Sequence, residues 1–299
     1  MESKDWAGVF PAITTPFRPG LSVDFEALEG HVRWLIDCGC RGIVTLGSLG
    51  EAPTLSLKEK MEVVERSKHA LKGRAPVIAG VSAMSTTEAV ALAKAAAAVG
   101  ADGLMVLPPY VYRGDWRETR AHLNAVFSAT SLSAMLYNNP IAYGTDILPE
   151  QILELRSEHQ NFHAVKESSA DIRRIAALRY RCGDELALFV GVDDLITEGV
   201  AAGACGWIAG LVNAFPSESV HLFELAVQAR YEELDALYAR FLPLLRLDTV
   251  PKFVQLIKLV QQAAGRGSER VRPPRLELEG RERDEALALA NAFLRGQPA

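Results

Sequence analysis

The sequence predicts an α/β fold, a (β/α)8 TIM barrel with a C-terminal helical extension, on three observations. Short apolar runs rich in β-formers alternate with longer stretches of helical period, and Gly, Pro or Asn stands at nearly every junction. The runs lack strict polar alternation, as strands covered on both faces do. No Gly-x-Gly-x-x-Gly fingerprint accompanies them, which favours a closed barrel over a doubly wound sheet.

In chain order, strands are expected over residues 9–15, 42–46, 76–80, 103–107, 134–137, 162–166, 187–191 and 206–209. Helices are expected over 25–38, 57–71, 86–99, 116–129, 149–159, 172–181 and 195–202, so that residues 1–215 form the barrel. Ser56 with Glu59, and Ser85 with Glu88, offer capping boxes for the second and third helices. Gly100, after Ala-Ala-Ala-Val, suits a left-handed C-cap. Asp193-Asp194 open the helix after the seventh strand, and N-capping is their expected role ahead of substrate contact. Beyond Pro216 the strand signal disappears, and helices are expected over 218–229, 231–245, 252–264 and 283–294, within an extension of residues 216–299. The charge-rich stretch 265–283, with Pro273-Pro274 at its centre, reads as a solvated loop.

A chain of 299 residues can bury one large core, and 49% hydrophobic with 23% charged residues excludes a disordered or fibrous protein. A net charge of −5 supplies no electrostatic footprint for nucleic acid or an anionic membrane, which leaves a small molecule as the expected partner. Cys38 and Cys40 form a Cys-Gly-Cys, neither a redox nor a zinc spacing, and with Cys182 and Cys205 they are expected to be reduced thiols. His159 and His163 are separated by a helix-to-strand break, so no shared metal face is expected. The N-terminus lacks a signal-peptide pattern, and the longest apolar stretch, residues 89–99, is interrupted by Lys94 and too short to span a bilayer. A cytoplasmic protein is expected.

In a barrel of this kind the chemistry sits at the C-terminal strand ends. Three of those ends are polar: Gly47-Ser48-Leu49-Gly50-Glu51, Tyr137-Asn138-Asn139-Pro140 and Val165-Lys166-Glu167-Ser168-Ser169. A lysine ending an apolar strand points its amine into the mouth, where desolvation makes the neutral, nucleophilic form accessible and a Schiff base is the natural use. By position alone Lys166 could equally snorkel to solvent or pair with Glu167. Tyr137 at the adjacent strand end favours the chemical reading, since its phenol can relay protons to a carbinolamine, although a packed core aromatic explains it as well when taken singly. Ser48 and the backbone amides of its turn could hold a carboxylate or pass a proton to Tyr137; a plain strand-to-helix turn is the alternative. Gly47, Leu49, Tyr143, Gly191 and Ile208 are the expected substrate contacts, and Trp207 could wall the pocket or merely pack.

These three motifs, in this order and spacing, resemble the dihydrodipicolinate synthase / N-acetylneuraminate lyase family, and the similarity runs from Gly8-Val9-Phe10-Pro11 to the C-terminal helices. The resemblance implies a class I lyase of 2-oxo acids, a homo-oligomer (tetramer or dimer), and no metal or organic cofactor. It makes Lys166 the Schiff-base lysine, Tyr137 the proton-relaying phenol and Ser48 the hydroxyl of the substrate turn. The synthases of that family have two Thr where this chain has Ser48 and Leu49, and an Arg where it has Ala142. The aromatic that they pass into a neighbouring subunit's site corresponds to Val111, which Tyr110 and Tyr112 flank.

Those departures disfavour the synthase, while Tyr137-Asn-Asn-Pro-Ile-Ala-Tyr, Asp171-Ile-Arg-Arg, Gly191-Val-Asp-Asp-Leu, Gly206-Trp-Ile-Ala-Gly-Leu-Val-Asn-Ala-Phe-Pro and Arg230-Tyr-Glu-Glu resemble the 1-pyrroline-4-hydroxy-2-carboxylate deaminases of hydroxyproline catabolism. The expected reaction is attack of Lys166 on the C2 imine carbon, loss of the C4 hydroxyl, and release of ammonia and 2-oxoglutarate semialdehyde. A 2-keto-3-deoxy-sugar-acid dehydratase, a retro-aldolase and dihydrodipicolinate synthase are the alternatives that share the lysine. A metal-dependent aldolase and a barrel that binds a 2-oxo acid without turnover stand apart from these.

Overall fold

The computed structural model describes residues 1–296. Eight strands, β1 (Gly8–Pro11), β2 (Ile43–Thr45), β3 (Val77–Val81), β4 (Gly103–Val106), β5 (Ser133–Asn138), β6 (Phe162–Glu167), β7 (Ala187–Val190) and β8 (Gly206–Ala209), form one parallel sheet in the order β1-β8-β7-β6-β5-β4-β3-β2. A parallel bridge between Ala12 and Val44 joins the two ends, and the barrel closes. This is the predicted (β/α)8 barrel.

The helices around and after it are α1 (Phe25–Asp37), α2 (Leu57–Leu71), α3 (Thr86–Ala98), α4 (Trp116–Phe127), α5 (Pro140–Tyr143), α6 (Pro149–Glu158), α7 (Arg173–Cys182), α8 (Ile196–Ala201), α9 (Pro216–Val227), α10 (Tyr231–Leu245), α11 (Phe253–Ala263) and α12 (Gly280–Leu294). The Ser56 capping box closes on Glu59, Ser85 accepts from the Glu88 N–H, and Gly100 takes φ +88° after α3. Three boundaries differ from expectation for physical reasons. The first strand ends at Pro11: Ala12 still donates to Ala209 O of β8, but it bridges to Val44 and Ile13 donates to Val44 O, which turns the chain across to close the barrel. α9 starts early because Pro216, with no N–H to lose, suits the first helical turn. The short α5 follows from Asn139, whose side chain accepts from the Ala142 N–H ahead of Pro140.

Strand residues alternate between two cores. Phe10, Val44, Ile78, Met105, Met135, Tyr137, Ala164, Phe189 and Ile208 fill the barrel interior, plugged from below by Trp6, whose indole donates to Ser133 Oγ at 2.8 Å. Their neighbours Val9, Val165, Leu188 and Trp207 face the helices. A fully buried aromatic or branched side chain contributes about 1.5–3 kcal/mol, so two layers of this size dominate stability. The stretch 265–283 is a largely exposed loop as far as α12, as expected, but Arg272 within it ties the extension to the barrel. Arg272 donates to Glu59, Thr54 O and Leu21 O and lies 4.7 Å over the Phe17 ring. Among the described residues no helix is long and apolar enough to cross a membrane, and all four cysteines are free.

Candidate active site

The period of two along β6 places Lys166 on the same inward side as Ala164. Its register neighbours are Tyr137 on β5 and Phe189 on β7, and its Nζ stands 4.1 Å from the centroid of the Tyr137 ring. Burial lowers the amine from its usual value to about 8, while the charges of Asp248 and Asp193 oppose the shift. The alternative pairing with Glu167 does not form: Glu167 accepts from Asn138 Nδ2 at 3.2 Å and from the Ser169 N–H at 2.7 Å.

With the amine near 8, the nucleophilic fraction grows as pH rises. Schiff-base formation should fall about tenfold per unit below pH 7 and level off above pH 9. Stopped-flow rates of adduct formation across about pH 5.5–9.5 check this. A flat profile would contradict a partly desolvated lysine.

Burial pushes the Tyr137 phenol up to about 12, with the Asn139 amide and the Ser168 and Ser48 hydroxyls working the other way. Asn139 Nδ2 donates to Tyr137 Oη at 2.9 Å, so one asparagine both orients the phenol and caps α5. That short helix returns Tyr143 over the mouth, where its phenol hydrogen-bonds the Ser48 hydroxyl. The Tyr143 ring lies edge-on to Tyr137 at 6.1 Å and 5.8 Å from Tyr110. Burial raises the Tyr143 phenol as well. A chain of hydroxyls from Ser48 to Tyr143 is thus available within one subunit. Tyr112 turns out to Glu118 instead, and Val111 is exposed. Replacing Tyr137 by Phe should slow turnover roughly 10²–10⁴-fold, the usual worth of a positioned proton donor. An unchanged steady-state rate would remove it from the relay.

The Ser48 turn is flanked by two non-glycine residues in the left-handed region, Leu46 at φ 59° and Glu51 at φ 55°. Such strain costs about 1–3 kcal/mol per residue and is held by surrounding structure. Among the described residues the Ser48 and Leu49 N–H groups donate to no protein acceptor, which suits a substrate carboxylate. The Leu49 side chain itself packs in the outer core, which corrects its expected role: only its backbone is left for a ligand. Gly47 opens this turn, its carbonyl accepting from the Ala52 N–H at 3.5 Å. Ile208 is confined to the interior cluster, on which Tyr143 packs from above.

Gly191 earns its place by close approach. A Cβ there would lie 2.0 Å from Ser168 Oγ and 2.7 Å from Lys166 Cε. Gly191→Ala should therefore push the lysine aside, and a displacement near 1 Å costs on the order of 10²-fold in kcat/KM. Wild-type kcat/KM in that variant would contradict the packing.

Three groups escaped the sequence. Ser168 presents a buried Oγ beside Lys166 that also acts on the Tyr137 phenol; it was visible only as part of a strand-end motif. Asp193 does not cap a helix, a correction to its expected role. It is buried and accepts from Trp207 Nε1 and the Gly210 and Leu211 N–H groups at 2.9–3.1 Å, so Trp207 packs outward instead of walling the pocket. Burial raises the Asp193 carboxyl to about 6 despite those donors. Asp248 arrives from the extension, where nothing local marks it. His159 and His163 bond separately, to Asn124 and Ser133, and among the described residues no three potential ligands cluster for a metal.

The dihydrodipicolinate synthetase family model matches residues 5–293. A 4-hydroxy-tetrahydrodipicolinate synthase of Methanococcus vannielii is 31% identical over 286 residues, covering 96% of this chain and 97% of the relative. A second, from Methanococcus aeolicus, is 34% identical over 239 residues, covering 80% and 82%. The crystal structure of dihydrodipicolinate synthase from Aquifex aeolicus superposes with a TM-score of 0.91 at 28% identity, covering 98% of this chain and 99% of that one. Fold, strand-end motifs and likeness along nearly the whole chain agree: this chain belongs to the dihydrodipicolinate synthetase family and is a lyase of the Schiff-base type.

Proposed function

We propose that the enzyme binds a small 2-oxo acid, or its cyclic imine, covalently through Lys166, with Tyr137 and Ser48 moving protons and no metal or organic cofactor taking part. The observation that carries this reading is the Lys166 amine, desolvated in the barrel mouth against the Tyr137 ring. Attack on the 2-oxo carbon gives a carbinolamine. Tyr137 protonates its hydroxyl, water leaves, and the resulting iminium acidifies C3, whose proton returns to the phenolate. Gly47, the Ser48 turn, Tyr143 and Gly191 shape the site around that adduct. A cytoplasmic homo-oligomer, tetramer or dimer, belongs to the same reading.

For the second half of the reaction, the relatives' names favour 4-hydroxy-tetrahydrodipicolinate synthase over the hydroxyproline deaminase. One observation is compatible with the synthase: the Arg275 guanidinium, which makes no ion pair among the described residues, acts through its charge on the Tyr143 phenol. The deaminase, with the sugar-acid dehydratase behind it, is the second reading, favoured by the absence of a hydroxyl at Leu49 and of an arginine at Ala142. Assaying pyruvate consumption in the synthase reaction beside ammonia release from 1-pyrroline-4-hydroxy-2-carboxylate separates them. Ammonia release without synthase activity would reverse the order.

A further inference from the structure

The α10 helix ends in a single turn, Arg246–Asp248, that packs on the turn Asp193–Leu195 beyond β7. Its Asp248 carboxylate lies directly against Gly210, the residue after β8: a Cβ on Gly210 would be 2.1 Å from Asp248 Oδ1 and 2.8 Å from Oδ2. Gly210 therefore has to be glycine for Asp248 to enter. The same Gly210 donates its N–H to Asp193, so the two carboxylates meet at one residue of the strand ends.

Their situations differ. Asp193 is saturated by three N–H donors, as a structural anion is. Asp248 Oδ1 is buried with no partner at all. An unpaired buried carboxyl oxygen is costly unless a ligand completes it. Asp248 and Asp193 are also the two acidic groups whose charge acts on the Lys166 amine, and Asp248 acts on Tyr137 too, so its charge reaches the reacting pair. Burial, then the Asp193 charge, push the Asp248 carboxyl well above the usual carboxylate range, against the Lys166 charge.

We propose that Asp248 is a further catalytic residue: through it the C-terminal extension supplies the acid that protonates the oxygen on C4 of a substrate held on Lys166. The assignment rests on the Schiff-base reading and holds for either second half-reaction. In a condensation, the enamine pair forms the C3–C4 bond, the aldehyde π pair moves to oxygen, and the Asp248 proton joins it as the 4-hydroxyl. In an elimination, the enamine pair forms the C3–C4 double bond, the C4–O bond breaks, and the Asp248 proton leaves with that oxygen as water. Either way the nitrogen returns to iminium and the Asp248 carboxylate regains its proton from solvent. The substrates are those with an oxygen on C4; pyruvate alone does not engage Asp248.

The test is Asp248→Asn, nearly isosteric and unable to act as an acid, measured in two arms. With pyruvate and borohydride, the variant should still give the Lys166 adduct, no more slowly than wild type, because loss of the Asp248 charge only lowers the amine further. With the C4-oxygenated substrate that the wild type turns over, its rate should drop roughly 10²–10⁴-fold. An adduct with undiminished turnover overturns the proposal and leaves the Schiff-base reading standing. Loss of adduct and turnover together also overturns it, because Asp248 would then serve the lysine or the fold. A wild-type enzyme that forms no pyruvate adduct removes the Schiff-base reading and the proposal with it.

Discussion

Replacing Lys166 by alanine should lower turnover by on the order of 10⁴-fold or more, as loss of a covalent nucleophile does, while the protein stays folded. The amine makes no ion pair among the described residues, so its removal breaks no direct contact, although it takes away the charge that acts on Asp193 and Asp248. Far-UV circular dichroism should be unchanged. Lys166→Arg should be equally inactive, because a guanidinium keeps the charge and cannot become the nucleophile. Activity above about a hundredth of wild type in either variant would contradict covalent catalysis through this residue.

Lys258→Met should produce the largest loss of stability, roughly 3–5 kcal/mol, because it breaks a buried ion pair and strands one partner. Lys258 Nζ donates to Glu51 Oε1 at 2.7 Å and to Thr15 O at 2.9 Å, and lies 4.4 Å over the Phe17 ring. The pair is essentially sealed, with the lysine 1% and the glutamate 0% exposed. After the substitution the Glu51 carboxylate keeps only the Arg272 N–H, at 3.0 Å. Urea unfolding should show a lower midpoint at an unchanged slope. Since Glu51 ends the Ser48 turn in a left-handed conformation, KM for the 2-oxo acid should rise as well. A loss below about 1 kcal/mol would mean that the pair does not hold the turn.

The contrast between these two lysines shows what the sequence makes legible. Lys166 sits in an apolar strand whose period of two decides which way it points, and its neighbours across the sheet carry their own polar motifs, so strand, direction and role are all readable locally. Lys258 lies in a helix-period stretch where a lysine ordinarily belongs to the solvated face. Its burial depends on Glu51, 207 residues away in the chain. Asp248 is hidden for the same reason: Arg-Leu-Asp at a helix end carries no signal until α10 folds across the end of β8. Asp193 misleads because local capping chemistry and a tertiary anchor for the Gly210 turn use the same residue type. Leu49 has a legible position and an illegible direction, since turn geometry, unlike a strand, has no fixed alternation. The Ser48–Tyr143 contact needed a short helix that four residues cannot announce by periodicity.

The central claim is a covalent 2-oxo-acid adduct on Lys166. Borohydride reduction in the presence of pyruvate, followed by peptide mass spectrometry, tests it most directly. The account predicts one substrate-dependent mass increase, confined to the peptide containing Lys166 and absent from Lys166→Ala. An unmodified chain, or an adduct on any other lysine that survives Lys166→Ala, would contradict it.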